Sequence, residues 1–280
     1  MSKNKSGIYI LDNDSFLKIM KEIKDEYNAN KEEEKIMKAI IHNPKLFTEI
    51  IETLNNIIDT LTFQCDTDGI RLRALDLSHI SFIELEITTG FFTEYMIQEP
   101  ETIIIDTNEF SKILKRQGNE DTLTLETPDE YNLSILFTGD ANRRFNIRQI
   151  DIDYDTPTPP SIDYPVQLPV PVTVINDFLT DISLQSENVQ FTVDEDYLIA
   201  EGEGNNGAVE CKYLHGEHIQ ECVSSKYNVG MIRPVVKGKQ LGGELTLCIG
   251  DDLPLTLIRV DDTGNCRLSF LLAPRIETEE

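Results

Sequence analysis

The strongest constraint on how this chain can fold is that its second half repeats the order of segments in its first. Val174-Ile-Asn-Asp-Phe-Leu-Thr-Asp-Ile, followed by Phe191-Thr-Val-Asp-Glu-Asp-Tyr-Leu, lies 128 residues after the segment Ile50 to Leu54 and its follower Phe63-Gln-Cys-Asp-Thr-Asp-Gly-Ile. Ile50 then matches Phe178, Leu54 matches Ile182 and Asp68 matches Asp196. Ile113-Leu-Lys115 ahead of Leu123-Thr-Leu recurs 122 residues later as Val235-Val-Lys237 ahead of Leu245-Thr-Leu. Similar segments at a steady spacing mark one supersecondary unit used twice.

The content of that unit follows from local signals. Asn43-Pro44 reads as an N-cap and first helical residue, and Phe47, Ile50, Ile51, Leu54, Ile57 and Ile58 make one apolar face. Leu61 to Cys65, the turn Asp66-Thr-Asp-Gly69 and Ile70 to Leu75 read as a hairpin. Asp106-Thr-Asn-Glu109 is a capping-box arrangement for a short helix, Phe110 to Arg116, closed by Gly118. Strands Thr122 to Glu126 and Leu133 to Phe137 follow. The expected class is therefore α+β, a duplicated unit of mainly antiparallel strands with two short helices per copy. Residues 1–36 read as an extension carrying an amphipathic helix, with Phe16, Met20, Ile23 and Tyr27 at helical spacing. Residues 37–150 and 165–280 are the expected domains. Between them 151–164 is rich in Pro and Asp, a stiff extended linker.

Composition narrows the function. The 280 residues include 25 Lys and Arg against 50 Asp and Glu, a net charge of −25, with 40% hydrophobic residues and five Cys. That is enough apolar content for a core, and too acidic for a protein whose whole surface grips phosphates. No membrane span or signal peptide is expected, and an odd, scattered Cys count implies reduced thiols inside a cell. No nucleophile elbow, P-loop, dinucleotide fingerprint or HExxH motif is present, so no catalytic residues are expected. Cys211, His215, His218 and Cys222 have metal-binding residue types but fit no standard zinc spacing. Asp151-x-Asp-x-Asp opens like a calcium loop, yet Thr156 and Ile162 stand where Gly and Glu are needed. No metal or cofactor is expected. Cations do recur at matched places: Lys112, Lys115 and Arg116 in the first copy, Arg233, Lys237 and Lys239 in the second.

Several segments resemble one family. Leu75-Asp-Leu-Ser-His-Ile80, Ser111-Lys-Ile-Leu-Lys115 with Gly118-Asn-Glu-Asp121, and Leu272-Ala-Pro-Arg-Ile-Glu-Thr-Glu-Glu280 are similar to signatures of proliferating cell nuclear antigen (PCNA), the DNA sliding clamp of eukaryotes, archaea and some large DNA viruses. The likeness runs in order over 37–280, and Met37-Lys-Ala-Ile resembles the family's first strand. It implies a non-enzymatic processivity factor. It further implies that three copies would form a ring, with sheets outside and short helices lining a hole around duplex DNA. Lys112, Lys115, Arg116, Arg233, Lys237 and Lys239 would face the DNA.

The resemblance also implies a pocket for the hydrophobic or aromatic peptides of DNA polymerase, clamp loader, ligase and flap nuclease, formed by Leu75, His79, Ile80, Ile162, Pro254, Leu271, Ala273 and Pro274. Subunits would join through Phe145 and Ile147 of one copy against Val209 and Cys211 of the next. The expected location is a nucleus or viral replication compartment, or an archaeal cytoplasm. One departure stands out. The first helix of each half offers Thr48, Glu49, Glu52, Asn55 and Asn56, and Asn176, Asp177 and Asp181, where the family usually places basic residues. A non-ring viral accessory and one subunit of a heterotrimeric clamp remain alternative readings.

Overall fold

A computed structural model describes residues 2–3, 9–10, 21, 37–205, 207–238 and 241–275. The helix expected before residue 37 falls outside these apart from Lys21, as does Lys239. Ser2–Lys3 and Tyr9–Ile10 pair antiparallel.

From Met37 onward the duplication is carried by the backbone. Four helices are described: α1 (Lys45–Leu54), α2 (Thr107–Leu114), α3 (Val172–Ile182) and α4 (Val229–Lys237). The apolar faces of α1 and α3 match at the sequence spacing, since Phe47, Ile51 and Leu54 are buried as are Ile175, Leu179 and Ile182. Phe110 and Leu114 of α2 correspond likewise to Ile232 and Val236 of α4. α2 and α4 also start alike. Asp106 accepts from the Glu109 amide (2.7 Å) and Asn228 from the Met231 amide (3.2 Å), each a side-chain cap on an orphan helical N–H.

All strand pairs are antiparallel. A five-stranded sheet has the order Arg143–Arg148, Asn132–Thr138, Thr122–Asp129, Met37–Ile41, Glu94–Ile97. The strands Gly207–Leu214, Tyr197–Gly204, Asn188–Val193 and Val223–Asn228 form a four-stranded sheet. Eight strands make the largest: Val166–Pro171, Glu244–Ile249, Leu255–Val260, Cys266–Leu272, Ser81–Thr88, Gly69–Leu75, Thr60–Asp66, Glu101–Asp106. Its middle is the seam between the copies, where Cys266–Leu272 pairs with Ser81–Thr88 from Cys266 opposite Ile87 to Leu272 opposite Ser81. Phe270 and Ile83 face each other there, both buried.

Three local expectations change. The N-cap of α1 is Pro44, not Asn43, and it makes no side-chain bond; the Lys45 amide reaches Asn43 Oδ1 at 3.4 Å. α1 also stops at Leu54, because Asn56 and Ile57 donate to carbonyls three residues back and tighten the last turn. Thr48 is buried rather than on the free face, since α1 packs against α2 as well as the sheet and its buried arc is broad. Among the described residues no helix is long and apolar enough to cross a membrane.

Candidate functional site

The four helices form one layer. α1 packs on α2 and α3 on α4. A crevice of about 250 Å³ joins the two pairs, lined by Glu49, Glu52, Thr53 and Asn56 of the first half and Pro234, Lys237 and Gly238 of the second. The spatial order is therefore α2, α1, α4, α3. Lys112, Lys115, Arg116 and Lys237 are exposed on this layer. Arg233 is half-buried and reaches Ser183 Oγ at 3.4 Å, tying α4 to the end of α3. Asp177 and Asp181 are exposed on the same layer, and Asn176 is half-exposed. Glu52 comes within 3.9 Å of Lys115 Nζ, so a carboxylate offsets one of the few cations.

Two arginines without a sequence signal of their own fix the ends of the cation-bearing helices. Arg259 is 1% exposed and donates to the carbonyls of Val235 (2.9 Å), Gly238 (2.8 Å) and Gly242 (3.1 Å). The first two bonds satisfy the C-terminal end of α4 beside Lys237, and the third ties in the loop that follows. Burial lowers its pKa, while the nearby Glu49 carboxylate works in the opposite direction. In the first half Arg143 plays the corresponding part, donating to the Arg116 carbonyl at 2.6 Å, pairing with Asp121 and lying over the Phe137 ring. A charged residue in a strand normally marks the wet face, which is why Arg259 could not be singled out from its position in the chain.

The other face of the eight-stranded sheet is crossed by the linker. Tyr154 Oη donates to the Arg73 carbonyl, Gln64 Nε2 to Thr156 Oγ1 (2.5 Å), and Tyr164 Oη meets Thr256 Oγ1 at 2.6 Å. Leu61, Phe63 and Cys65 point the opposite way into the core. Beside the strap lie the residues expected to hold client peptides. Leu75 and Leu271 both stand opposite Phe82 in the sheet, on its two flanks. The Ala273 amide donates to the Ile80 carbonyl at 2.8 Å, joining the tail to the 76–80 loop. Leu75 and Ile80 are 42% and 43% exposed, large for apolar side chains. Pro254, Pro274 and Ile162 are half-buried, and His79 and Ala273 exposed.

Asp76 builds this loop. Its carboxylate accepts from the amides of Ser78 (3.0 Å), Ile80 (2.9 Å) and Ser81 (2.6 Å). Burial pushes its pKa up, but the backbone donors at Ser81, Ser78 and Ile80 outweigh burial and leave it below the ordinary value. The loop also holds His79 at φ 56°, and Asp252, two residues before Pro254, sits at φ 53°. Among the described residues these are the only non-glycines with positive φ.

The outer strands complete the picture. Phe145, Val209 and Cys211 are partly buried against the core and Ile147 is 3% exposed, all facing inward. Arg143–Arg148 and Gly207–Leu214 each lack a neighbour on their outer side. Cys211 lies in a strand and Cys222 is exposed; among the described residues no three His, Cys, Asp or Glu side chains gather as metal ligands.

Two matched sheet-and-helix units fused edge to edge and strapped by a linker define a duplicated clamp fold. Comparison with known proteins agrees. A family profile described as "Proliferating cell nuclear antigen, N-terminal domain" matches residues 36–157. The DNA polymerase sliding clamp of Methanothermobacter thermautotrophicus is 41% identical over 245 residues, covering 88% of this chain and all of that one. That of Pyrococcus furiosus is 34% identical, covering 85% and 98%. The solved PCNA of Thermococcus kodakaraensis superposes with a TM-score of 0.80 at 26% identity, over 85% of this chain and all of its own. PCNA of Entamoeba histolytica gives 0.81 at 22% identity over 86% and 100%, a likeness of fold. The chain belongs to the PCNA family of DNA polymerase sliding clamps, which are processivity factors of DNA replication.

Proposed function

We propose that copies of this chain join head to tail into a closed ring around duplex DNA, with 37–150 and 165–280 as its two clamp domains and 151–164 connecting them. One observation carries the reading. In the internal repeat, Arg143–Arg148 corresponds to Cys266–Leu272 and Gly207–Leu214 to Ser81–Thr88; the latter member of each pair forms the seam inside the chain, and the former are open edges. An open edge of matching shape invites the same pairing between copies, and a head-to-tail contact closes when its rotation divides a circle. The seam's register, carried over, would set Phe145 opposite Val209 and Arg144 opposite Glu210. The count of three is what the family likeness implies.

In such a ring the helix layer faces the hole. Lys112, Lys115, Arg116, Arg233, Lys237 and Lys239 would keep phosphates centred, while encirclement rather than affinity retains the DNA, which a net charge of −25 permits. The protein acts by tethering rather than as an enzyme. Leu75, His79, Ile80, Ile162, Pro254, Leu271, Ala273 and Pro274 would receive the hydrophobic peptides of a DNA polymerase, clamp loader, ligase or flap nuclease. Light scattering coupled to size exclusion tests the assembly. A mass near three times 31.9 kDa is expected; a stable monomer at micromolar concentration would overturn the self-sufficient ring.

A further inference from the structure

A second groove lies where the linker leaves the first clamp unit. It has a volume of about 560 Å³ and is lined by Thr102 and Ile104, by Glu130 and Tyr131, and by residues 149–154. Tyr131 is 60% and Ile152 50% exposed, so two large apolar surfaces face water side by side. Carboxylates rim it: Glu130, Asp151 and Asp153. The Tyr131 phenol pKa is raised, first by its hydrogen bond to Glu130 and that carboxylate's charge, then by desolvation and the charges of Asp151 and Asp129. One wall is Glu101–Asp106, the end strand of the eight-stranded sheet. The Ile150 amide donates to its Ile104 carbonyl at 2.8 Å, and Thr102, on the same outward side of that strand, is exposed.

The internal repeat gives this groove a counterpart. In the second half the Arg275 amide donates to the Lys226 carbonyl at 2.7 Å, the equivalent of Ile150 on Ile104. Tyr131 then stands where Leu253 stands, and Gln149 where Pro274 stands, next to the surface assigned above to client peptides. Glu130 has an acidic counterpart there in Asp252; what the first-half copy adds is Asp151 and Asp153.

We infer that the groove at the root of the linker is a second docking site, and that its occupant is a short extended peptide of a partner protein bearing alternating Lys or Arg and aliphatic residues. The apolar side chains would cover Tyr131 and Ile152, the cations would meet Glu130, Asp151 and Asp153, and the backbone would add to the free edge at Thr102. The inference does not require the ring. It predicts saturable binding that weakens with salt.

The test uses the full-length protein and a fluorescein-labelled peptide of alternating leucine and lysine, read by fluorescence anisotropy. Tyr131→Ala with Ile152→Ala should weaken binding about tenfold or more. Asp151→Asn with Asp153→Asn should weaken it less and flatten its salt dependence. Both pairs are surface changes that leave the unfolding midpoint in place. Leu75→Ala should have no effect. Equal affinity for a lysine and glycine peptide would reduce the groove to a charged surface and overturn the inference. So would loss of binding in Leu75→Ala, which would move the peptide to the other pocket. A fall in solution mass in the Tyr131→Ala, Ile152→Ala variant would make the groove a contact between copies and overturn it as well.

Discussion

Asp76 and Arg259 show how much single side chains decide here. Replacing Asp76 with Ala leaves three amides without their acceptor and should cost about 2 to 3 kcal/mol, read from urea unfolding, and abolish the peptide capture proposed for Leu75 and Ile80. Because the folded-state pKa of Asp76 lies below the ordinary one, its stabilisation is complete above the ordinary carboxylate pKa and disappears as pH falls through the lowered value. The Ile80 and Ser81 amides should therefore stay protected from hydrogen exchange at neutral pH and lose protection only in acid. Arg259→Met should cost about 3 kcal/mol or more, since two carbonyls at the end of α4 and the Gly242 carbonyl of the following loop lose their donor, with exchange rising first at residues 235–238. Neither role was legible in the sequence. The segment around Asp76 could be matched to a family, but its partners are backbone amides, which any residue type supplies. Arg259 sits in a strand whose alternation marks it only as one more charge.

At the scale of elements, the sequence was informative where the signal was local. The N-cap at Asp106, the burial of Phe47, Ile51 and Leu54 on α1, and the spacing of the repeat follow the sequence, while the expected return bond from Glu109 is not among those described and Ile57 and Ile58 lie past the end of α1. Asp106→Ala and Asn228→Ala should each cost about 1 kcal/mol and fray the first turn of α2 or α4, seen as faster exchange of the Glu109 or Met231 amide. What could not be read was which sheet edges fuse, because strand order depends on contacts distant in the chain. The edges left open are managed differently. Val166–Pro171 is an end strand carrying Pro169 and Pro171, which lack the N–H that a further strand would need. Its first-half counterpart, Met37–Ile41, is instead covered by Glu94–Ile97. Between helices, Glu52 is the residue to change: Glu52→Gln should free Lys115 and steepen the salt dependence of duplex binding by about one unit per lysine gained. In a Lys115→Met background the same change should do nothing; an equal gain there would make its effect one of net charge alone.

For the whole molecule, the register taken from the seam sets Asn146 opposite Ala208 across the proposed junction between copies. Asn146→Cys with Ala208→Cys should give a covalent ring under mild oxidation, a ladder ending at three chains on a non-reducing gel, whereas Asn146→Cys with Glu210→Cys should give little. Strong cross-linking of the second pair in place of the first would show that the junction follows another register. The acidic exterior and the few cations on the helix layer agree with a molecule that holds its track without gripping it.

In the proposed ring, the seam within the chain and the open edges would be two uses of one joint. The backbone pairing asked of the junction is the one the seam already makes, whether or not a connecting peptide spans it. A circularly permuted protein, with 165–275 placed ahead of 37–164 and a flexible tether between them, should therefore build the same object. Its covalent breaks would simply move to the places now occupied by the linker.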